Sequence, residues 1–433
     1  MAQQSPYVII ASNKSPQNSK INAPEESITF WKFTTRPHTM FAIANNPVEI
    51  QNLGFGKNAF ISVPKAGTLM YKCHFEFNLP ALTGTNPVAW THYPGLALIS
   101  ELQIVIGSQD FDKHTGAWMY IWSELTIPTD KRAAFLSLIG HRPELTTLSL
   151  NIPAATIIVP VFFWFCRRPS LALQLASLDF AEVRFKLKVA PINTLVINAG
   201  DLVSANSLTL DGQLFVDYVH LDEPEFNSLI DTDIELVFES VQTYEFSTIG
   251  NKSKQILQIA HPTKFVAWTN QDPANISGNR MFDFTNSGTT VGKYWTGSNP
   301  MSTAVFNIYA SQIDQERNAA YYNEYVPMER FTRGPAQGIN VMCFALSPED
   351  PQPTGTLNFS KVDQANMVQT MTDTNVRYDT KLYVFAYNTL TITNGQIGLE
   401  FASGKKSYID EEEAYPGYNA ALDAPRQPLM IAC

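Results

Sequence analysis

The sequence predicts an all-β protein built from antiparallel sandwiches, and three observations support this class. Short runs in which apolar and polar residues alternate recur along the chain, for example at 75–79, 102–106 and 183–189. Turn-forming residues interrupt these runs, with 27 Pro and 22 Gly among 433 residues. Helical periodicity is confined to a few short segments. Short alternating strands separated by Pro and Gly are typical of a β-sandwich.

Individual segments predict particular elements. The run 183–189 reads VRFKLKV, so its apolar side chains share one face and its three cations share the other. We therefore expect a half-buried strand of an antiparallel sheet there. Three short helices are expected between strands, at 117–125, 224–229 and 314–321.

A boundary between two units is expected at 217–235. A strand-like run ends near Leu221, a short acidic helix follows, and the strand-like ELVFESVQTYEF begins a second unit. This gives an N-terminal arm (1–27), a first unit (28–222), a second unit (223–403) and a tail (404–433), in which each unit has the size of one jelly roll. The polar stretch 269–305 is expected to form a loop that faces outward or toward a neighbour.

Composition limits the classes of partner. The net charge is −10, and only Lys14 and Lys20 are basic within residues 1–27. A protein that coats nucleic acid directly needs a basic face, so we expect no direct contact with DNA or RNA. Charged residues make up 16% of the chain and aromatic residues 12%. That balance suits either an all-β monomer or a subunit that buries surface in an assembly.

The cysteines and the apolar segments indicate cytosolic synthesis. Cys73, Cys166, Cys343 and Cys433 are far apart, without a CxxC pair, and the first three lie in apolar runs. We expect buried free thiols, as in a reducing compartment. The N-terminus does not resemble a signal peptide, and Pro160 interrupts the most apolar stretch, 157–166, which is too short to span a membrane.

The candidate catalytic and metal-binding residues are interpreted as structural. Asp112-Lys113-His114 contains an acid and a base, but neighbours on a strand point to opposite faces and no nucleophile motif accompanies them. His261, which precedes Pro262, is expected to form a hydrogen bond at a strand end. The histidines show neither HxH nor HExxH spacing, and no phosphate-binding glycine loop is present. We expect no catalytic, metal-binding or cofactor-binding residue, and no cofactor.

The stretch 344–363 carries the strongest family signal. It reads FALSPEDPQPTGTLNFSKVD, a proline corner between two strands. It resembles the QPSGTxNFSRxD signature of major capsid proteins of large icosahedral double-stranded DNA viruses. Thr354 replaces the usual Ser and Lys361 the usual Arg. The remaining matching positions that we single out are Gln352, Pro353, Gly355, Asn358, Phe359 and Ser360.

Further segments resemble the same family in the same order, from about residue 28 to 401. Asp112-Lys113-His114 resembles the end of its VELEIGGQxIDKH motif, and residues 261–268 resemble its HPTKYLAW motif. The matches are nearest to the algal branch of these viruses. The tail after residue 403 has no counterpart in the family pattern.

The resemblance implies a double jelly roll, that is, two consecutive eight-stranded antiparallel jelly rolls at 28–222 and 223–403. It implies a non-enzymatic structural protein whose homotrimers form pseudo-hexagonal capsomers and tile an icosahedral shell. The implied partners are neighbouring capsomers, minor capsid proteins and penton proteins, with an internal membrane near the arm. It also implies late expression, assembly in the host cytoplasm at a viral factory, and a place in the virion capsid.

Two other functions share the predicted fold. One is a low-copy minor or penton-proximal jelly-roll capsid protein, which the unmatched tail would suit. The other is a carbohydrate-binding jelly-roll protein, which would need carboxylates beside an aromatic platform. Among the glycosylation sequons, Asn275 in the predicted surface loop is the best acceptor and Asn251 the second.

Overall fold

The computed structural model describes residues 38–203, 208–230, 232–249, 252–286, 297–309, 311–373, 375–393 and 395–401. The predicted arm (1–27) and tail (404–433), and Asn251, lie outside the described residues.

The first half of the chain contributes strands β1 to β12. They are β1 Phe41–Glu49, β2 Asn58–Val63, β3 Leu69–Leu79, β4 Leu82–Trp90, β5 Ile99–Ile106, β6 Gln109–Thr115, β7 Ser149–Ile152, β8 Ala155–Pro160, β9 Leu173–Gln174, β10 Val183–Val189, β11 Val196–Ile197 and β12 Asp211–Leu221.

The second half contributes strands β13 to β23. They are β13 Ile234–Ile249, β14 Lys252–Leu257, β15 Pro262–Gln271, β16 Met301–Ile308, β17 Ser311–Gln312, β18 Arg317–Asn318, β19 Ile339–Cys343, β20 Leu357–Asn358, β21 Ala365–Met371, β22 Arg377–Thr393 and β23 Gln396–Leu399.

Short helices connect the strands. They are α1 Pro94–Leu98, α2 Gly116–Thr126, α3 Thr129–Leu138, α4 Pro143–Thr146, α5 Ile192–Leu195, α6 Glu223–Ile230, α7 Pro273–Ser277 and α8 Val326–Arg330. Single 3₁₀ turns lie at Trp164–Cys166, Pro169–Leu171, Ala199–Asp201 and Phe359–Lys361, and a π-helical turn lies at Tyr321–Tyr325.

Each half folds as a jelly roll. In the first half, the antiparallel sheet β1-β12-β3-β8 accompanies a second sheet, β2-β10-β5-β6. In the second half, β13-β22-β15-β19 accompanies β14-β21-β16, and β17 and β18 both pair with β16. In the first half β1 pairs with β12 and β2 with β10, and in the second half β13 pairs with β22 and β14 with β21. This order is that of a jelly roll, and the predicted fold class is confirmed.

Local sequence explains the strands that face solvent on one side. β10 alternates strictly between buried apolar and exposed polar residues, as predicted from VRFKLKV. The predicted helices at 117–125 and 224–229 are also confirmed, as α2 and α6. Thr115 begins α2, because its hydroxyl accepts a hydrogen bond from the Trp118 amide at 3.2 Å.

Two local predictions are wrong because tertiary contacts override them. Residues 314–321 do not form one helix: β18 pairs with β16, and the Thr303 hydroxyl donates to Glu316 at 2.6 Å. The stretch 269–305 is not simply an outward loop. Residues 269–271 belong to β15, and Phe282 and Phe284 are buried, so part of the stretch packs inward.

The β22–β23 hairpin touches the first jelly roll at Gly395. The Gly395 carbonyl accepts hydrogen bonds from the amides of Asp179 (3.1 Å) and Phe180 (3.4 Å). Gly395 has φ of 75°, and a Cβ built on it would lie 2.8 Å from the Asp179 Cβ. Glycine is therefore required by both backbone conformation and close approach.

We expect Gly395→Ala to lower the free energy of unfolding by about 1–3 kcal/mol, because alanine adds left-handed strain and a steric clash. Urea denaturation followed by tryptophan fluorescence measures the change. Gly334→Ala is the matched control, since nothing lies within 4 Å of a Cβ built at Gly334. Equal effects of the two substitutions would contradict the assigned contact.

Candidate functional site at the junction of the two jelly rolls

Helix α2 of the first half packs on the outer face of the second jelly roll. The Trp122 ring centroid lies 5.1 Å from that of Phe385 on β22 and 6.3 Å from that of Phe265 on β15. The Trp118 ring lies 5.6 Å from both Tyr383 and Phe385. This face of the second jelly roll is thus covered by aromatic side chains instead of water, which strongly favours association of the halves.

A buried ionic cluster lies beside these rings. Glu239 on β13 pairs with Arg167, which follows the 3₁₀ turn after β8, and with Lys264 on β15. The Lys264 side chain is 0% exposed and that of Glu239 is 2% exposed. The Arg167 guanidinium also lies 4.6 Å from the centre of the Trp122 ring. Arg167 belongs to the first half and Glu239 to the second, so the cluster joins the two.

Two backbone carbonyls complete the cluster. The Lys264 ammonium donates to the Asp350 carbonyl at 2.6 Å, and Arg167 donates to the Glu349 carbonyl. Near the surface, Arg168 pairs with the Asp350 carboxylate at 2.8 Å. Each buried cation therefore has acceptors, as a charge in an apolar surrounding requires.

Burial opposes the charge of both cations. It lowers the pKa of Arg167 to about 10, and burial followed by the nearby Arg167 lowers the pKa of Lys264 to about 7. Loss of water around each cation is the dominant cause in both cases. Each buried cation in the cluster consequently needs its partners in order to remain charged.

Asp112 and His114 bridge the halves at a second point. The Asp112 carboxylate accepts a hydrogen bond from the Val241 amide on β13 at 3.0 Å and contacts His114 Nε2 at 3.0 Å. His114 stacks on Phe163, whereas Lys113 points to the surface and pairs with Glu101 at 3.6 Å. This motif supports the edge of β13.

His261 and Pro262 meet the predicted corner residues directly. The His261 amide donates to the Ser360 hydroxyl at 2.9 Å, and the Phe359 amide donates to the His261 carbonyl at 3.2 Å. Pro262 lies opposite Asn358 in the pairing of β15 with β20. The two sequence motifs, nearly a hundred residues apart, form one structural unit.

Within the corner, side chains and turns fix the backbone that faces Lys264. The Gln352 amide donates to the Asp350 carboxylate at 3.1 Å, and Asn358 accepts from the Ser360 amide at 3.0 Å. Gly355, two residues after Pro353, has φ of 125°, which favours glycine. The corner thus positions the Asp350 carbonyl against the ionic cluster.

The inward part of the stretch 269–305 forms a third contact between the halves. Phe282 stacks on Tyr120 with centroids 4.9 Å apart and meets the Tyr93 ring edge-on at 6.1 Å. Tyr93 in turn stacks on His141 at 4.5 Å, and His141 lies 5.0 Å from His92. These rings form a compact aromatic and histidine cluster.

Asn275 is not the exposed acceptor that was expected. Its side chain is buried, and its amide nitrogen donates to the carbonyls of Asp283 and Thr285, both at 2.9 Å. Its carbonyl oxygen accepts from Arg280. Since the nitrogen that would carry a sugar lies inside the fold, the surface-loop interpretation of Asn275 is wrong.

The described residues contain neither a metal-binding cluster nor a helix that could span a membrane. Nowhere in that part of the chain do three or more His, Cys, Asp or Glu side chains gather closely enough to hold a metal ion. Its helices are all too short or too polar to cross a membrane.

Sequence reasoning missed the importance of Arg167, Glu239, Trp118 and Trp122, although it placed Lys264 in a family motif. The available signals were weak: Glu239 is one of three Glu residues in β13, and an Arg pair directly follows the apolar run 157–166. Neither reveals its partner, because the partners are distant in sequence.

Comparison with known proteins gives consistent matches over most of the chain. A family model for the N-terminus of major capsid proteins matches residues 29–222, and one for large eukaryotic DNA virus major capsid proteins matches residues 225–398. The major capsid protein of Pyramimonas orientalis virus is 29% identical, with 87% of this chain and 94% of the relative covered. That of Phaeocystis pouchetii virus is 25% identical, with 87% and 96% covered.

Solved structures show the same fold. The match to a chain in a quasi-atomic model of the PBCV-1 virus capsid has a TM-score of 0.75 and 23% identity, covering 86% of this chain and all of the other. The match to the Faustovirus major capsid protein also has a TM-score of 0.75, at 11% identity, covering 88% and 94%.

We expect Glu239→Gln to lower the free energy of unfolding by about 3–5 kcal/mol, because it leaves two buried cations without their shared carboxylate. Urea denaturation measures the loss. Glu182→Gln is the matched control, since Glu182 pairs with Arg184 at 2.8 Å on the surface and should change stability by less than about 0.5 kcal/mol. A similarly small effect for Glu239→Gln would contradict the role of the cluster.

We also expect stability to fall as the pH drops below about 6.5, the ordinary histidine pKa. Burial, and next the neighbouring His141, lower the pKa of His92 to about 3, and burial lowers the pKa of His141 and His261. The unfolded chain therefore binds protons first, so this stability is complete above the unfolded pKa and is lost toward the folded pKa.

Thermal denaturation between pH 8 and pH 5 measures this loss, which for His92 alone amounts to about 1–2 kcal/mol at pH 5. His92→Phe should reduce the loss, and the remainder should come from His141 and His261. His220→Gln, which alters an exposed histidine, is the matched control. A profile that stays flat in the unmodified protein would refute the assignment.

Proposed function

Because this chain belongs to the major capsid protein family of large eukaryotic DNA viruses, we propose that three copies form a pseudo-hexagonal capsomer. The chain is a structural, non-enzymatic protein of the virion capsid. Two jelly rolls per chain give six per trimer, and such a unit tiles a hexagonal lattice.

The observation that carries this proposal is the contact between the jelly rolls within one chain. β13 is an edge strand of the second jelly roll and lies against β6, an edge strand of the first. The Asp112 carboxylate binds the Val241 amide, and Phe111 lies 6.3 Å from Phe238. Different edges of the two jelly rolls meet, so this is a head-to-tail contact that can close a ring.

Repetition of the same contact between chains would complete a ring of six. The strand equivalent to β13 in the first jelly roll is β1, which is also an edge strand among the described residues. The region equivalent to β6 in the second jelly roll is the β17–β18 edge beside β16. We propose that β1 of one copy packs against the β17–β18 edge of the next.

Exposed apolar side chains lie at both of these edges. On β1, Phe41 is 54% exposed and Ile43 is 55% exposed. Beside β17, the side chains of Tyr309 and Ile313 are also exposed. Exposed apolar edges favour association with another chain, and ring closure would cover each one equally.

The wider setting follows from the family and from charge. We propose that the capsomers contact neighbouring capsomers and minor capsid and penton proteins, and that they assemble in the host cytoplasm. A net charge of −10 suits a shell that does not bind the genome directly.

The decisive experiment is the solution mass of the full chain by light scattering, followed by negative-stain imaging of the same peak. We expect three times the chain mass of 48.3 kDa and a six-sided outline. A folded protein that remains monomeric at high concentration would contradict the capsomer.

The proposed edge has its own test, Phe41→Glu combined with Ile43→Glu, which should convert the trimer to folded monomers with an unchanged far-ultraviolet circular dichroism spectrum. Phe180→Glu is the control, because Phe180 is 79% exposed but does not lie on β1. A trimer that survives the double substitution would exclude this edge while leaving the trimer itself intact.

A further inference from the structure

Cys73 and Cys166 lie side by side in the first jelly roll. Their Sγ atoms are 3.8 Å apart, although 93 residues separate them in sequence. Cys73 is buried on β3, and Cys166 is half-buried at the end of the 3₁₀ turn after β8. The Val161 amide donates to the Cys73 carbonyl at 3.2 Å, so the chain leaving β8 runs beside β3.

We propose that these two thiols form an intramolecular disulfide when the protein meets an oxidising disulfide such as oxidised glutathione. Bond formation brings the two sulfurs from 3.8 Å to about 2.05 Å, a small displacement for side chains already in contact. The reduced pair suits a reducing compartment, and the oxidised pair suits an extracellular one.

The thiol–disulfide exchange with oxidised glutathione takes place in two steps. The Cys166 thiolate, which is the more accessible, attacks one sulfur of oxidised glutathione and releases one glutathione thiolate. The Cys73 thiolate then attacks the Cys166 sulfur and releases the second. Each cysteine loses its proton to solvent, the pair is oxidised by two electrons, and glutathione disulfide is reduced to two thiols.

Burial makes the second step slow. Burial, and then the hydrogen bond and charge of Cys166, raise the pKa of Cys73 well above its usual value. Little Cys73 thiolate is therefore present near neutral pH, so the cross-link should form gradually and faster in mild alkali.

The position of Cys166 beside the junction means that the cross-link affects the contact between the jelly rolls. Cys166 immediately precedes Arg167, whose guanidinium pairs with Glu239 at the junction. A bond from Cys166 to β3 would fix the turn that carries this arginine. It would also close a long loop in the unfolded chain, which disfavours unfolding. The cross-link concerns a single chain and does not depend on trimer formation.

The test uses the folded full chain with oxidised glutathione over a series of times at pH 8. Free thiols are then blocked with N-ethylmaleimide, and the protein is digested with pepsin at low pH without reduction. We expect a linked peptide pair containing Cys73 and Cys166, a fall from four titratable thiols to two, and a higher thermal midpoint than that of the reduced protein.

Serine variants provide the controls. Cys73→Ser and Cys166→Ser should abolish both the linked peptide and the rise in thermal midpoint. Cys343→Ser should retain both, because the Cys343 thiol donates to the Ala345 carbonyl at 3.1 Å instead of facing another thiol. A Cys433→Ser background prevents links that involve the fourth cysteine.

Two results would overturn the proposal, and neither requires a variant to fold. One is recovery of Cys73 and Cys166 as blocked thiols after prolonged oxidation of the unmodified protein. The other is a persistent mixed disulfide between Cys166 and glutathione, from which Cys73 never displaces the glutathione.

Discussion

The structure depends on the burial of one β-sheet on both of its faces. The sheet β13-β22-β15-β19 covers the core of the second jelly roll with one face and receives the first half of the chain on the other. β15 is almost continuously buried, whereas a strand with one solvated face alternates, as β10 does. Removal of α2 from this face would expose an apolar surface that includes Phe265 and Phe385. The two jelly rolls are consequently one cooperative unit rather than two tethered ones.

The ionic cluster restricts the relative position of the two jelly rolls, which the apolar contact alone does not. Aromatic surfaces can slide over one another at little cost, but Arg167 and Lys264 must both reach Glu239, whose side chain is buried. A displaced arrangement would leave a charge buried without a partner, which is expensive. We infer that the cluster defines the relative position of the jelly rolls, and the proposed ring requires that position to be the same in every copy.

The family motifs share one structural role, which is to support the junction of the two jelly rolls. The proline corner (344–363) and the segment beginning at His261 bind each other, and together they present the Asp350 carbonyl to Lys264. Asp112 and His114 support β13, the strand that also carries Glu239. The motifs therefore maintain the junction, and none of them needs to be interpreted as a centre of catalysis.

The sequence alone determined the features that depend on local patterns. Alternation predicted β10, the segment 117–125 predicted α2, and the acidic segment before residue 234 predicted α6. Only the tertiary structure decided which distant residues meet. Asn275 looked like part of a polar surface loop, yet neighbouring Phe282 and Phe284 draw that segment inward. Arg167, Glu239 and Lys264 belong to three separate segments, and no local periodicity encodes their pairing. The alternation that predicts a strand is visible within a short segment, but the junction follows from long-range packing, in which the burial of each charge depends on all the others.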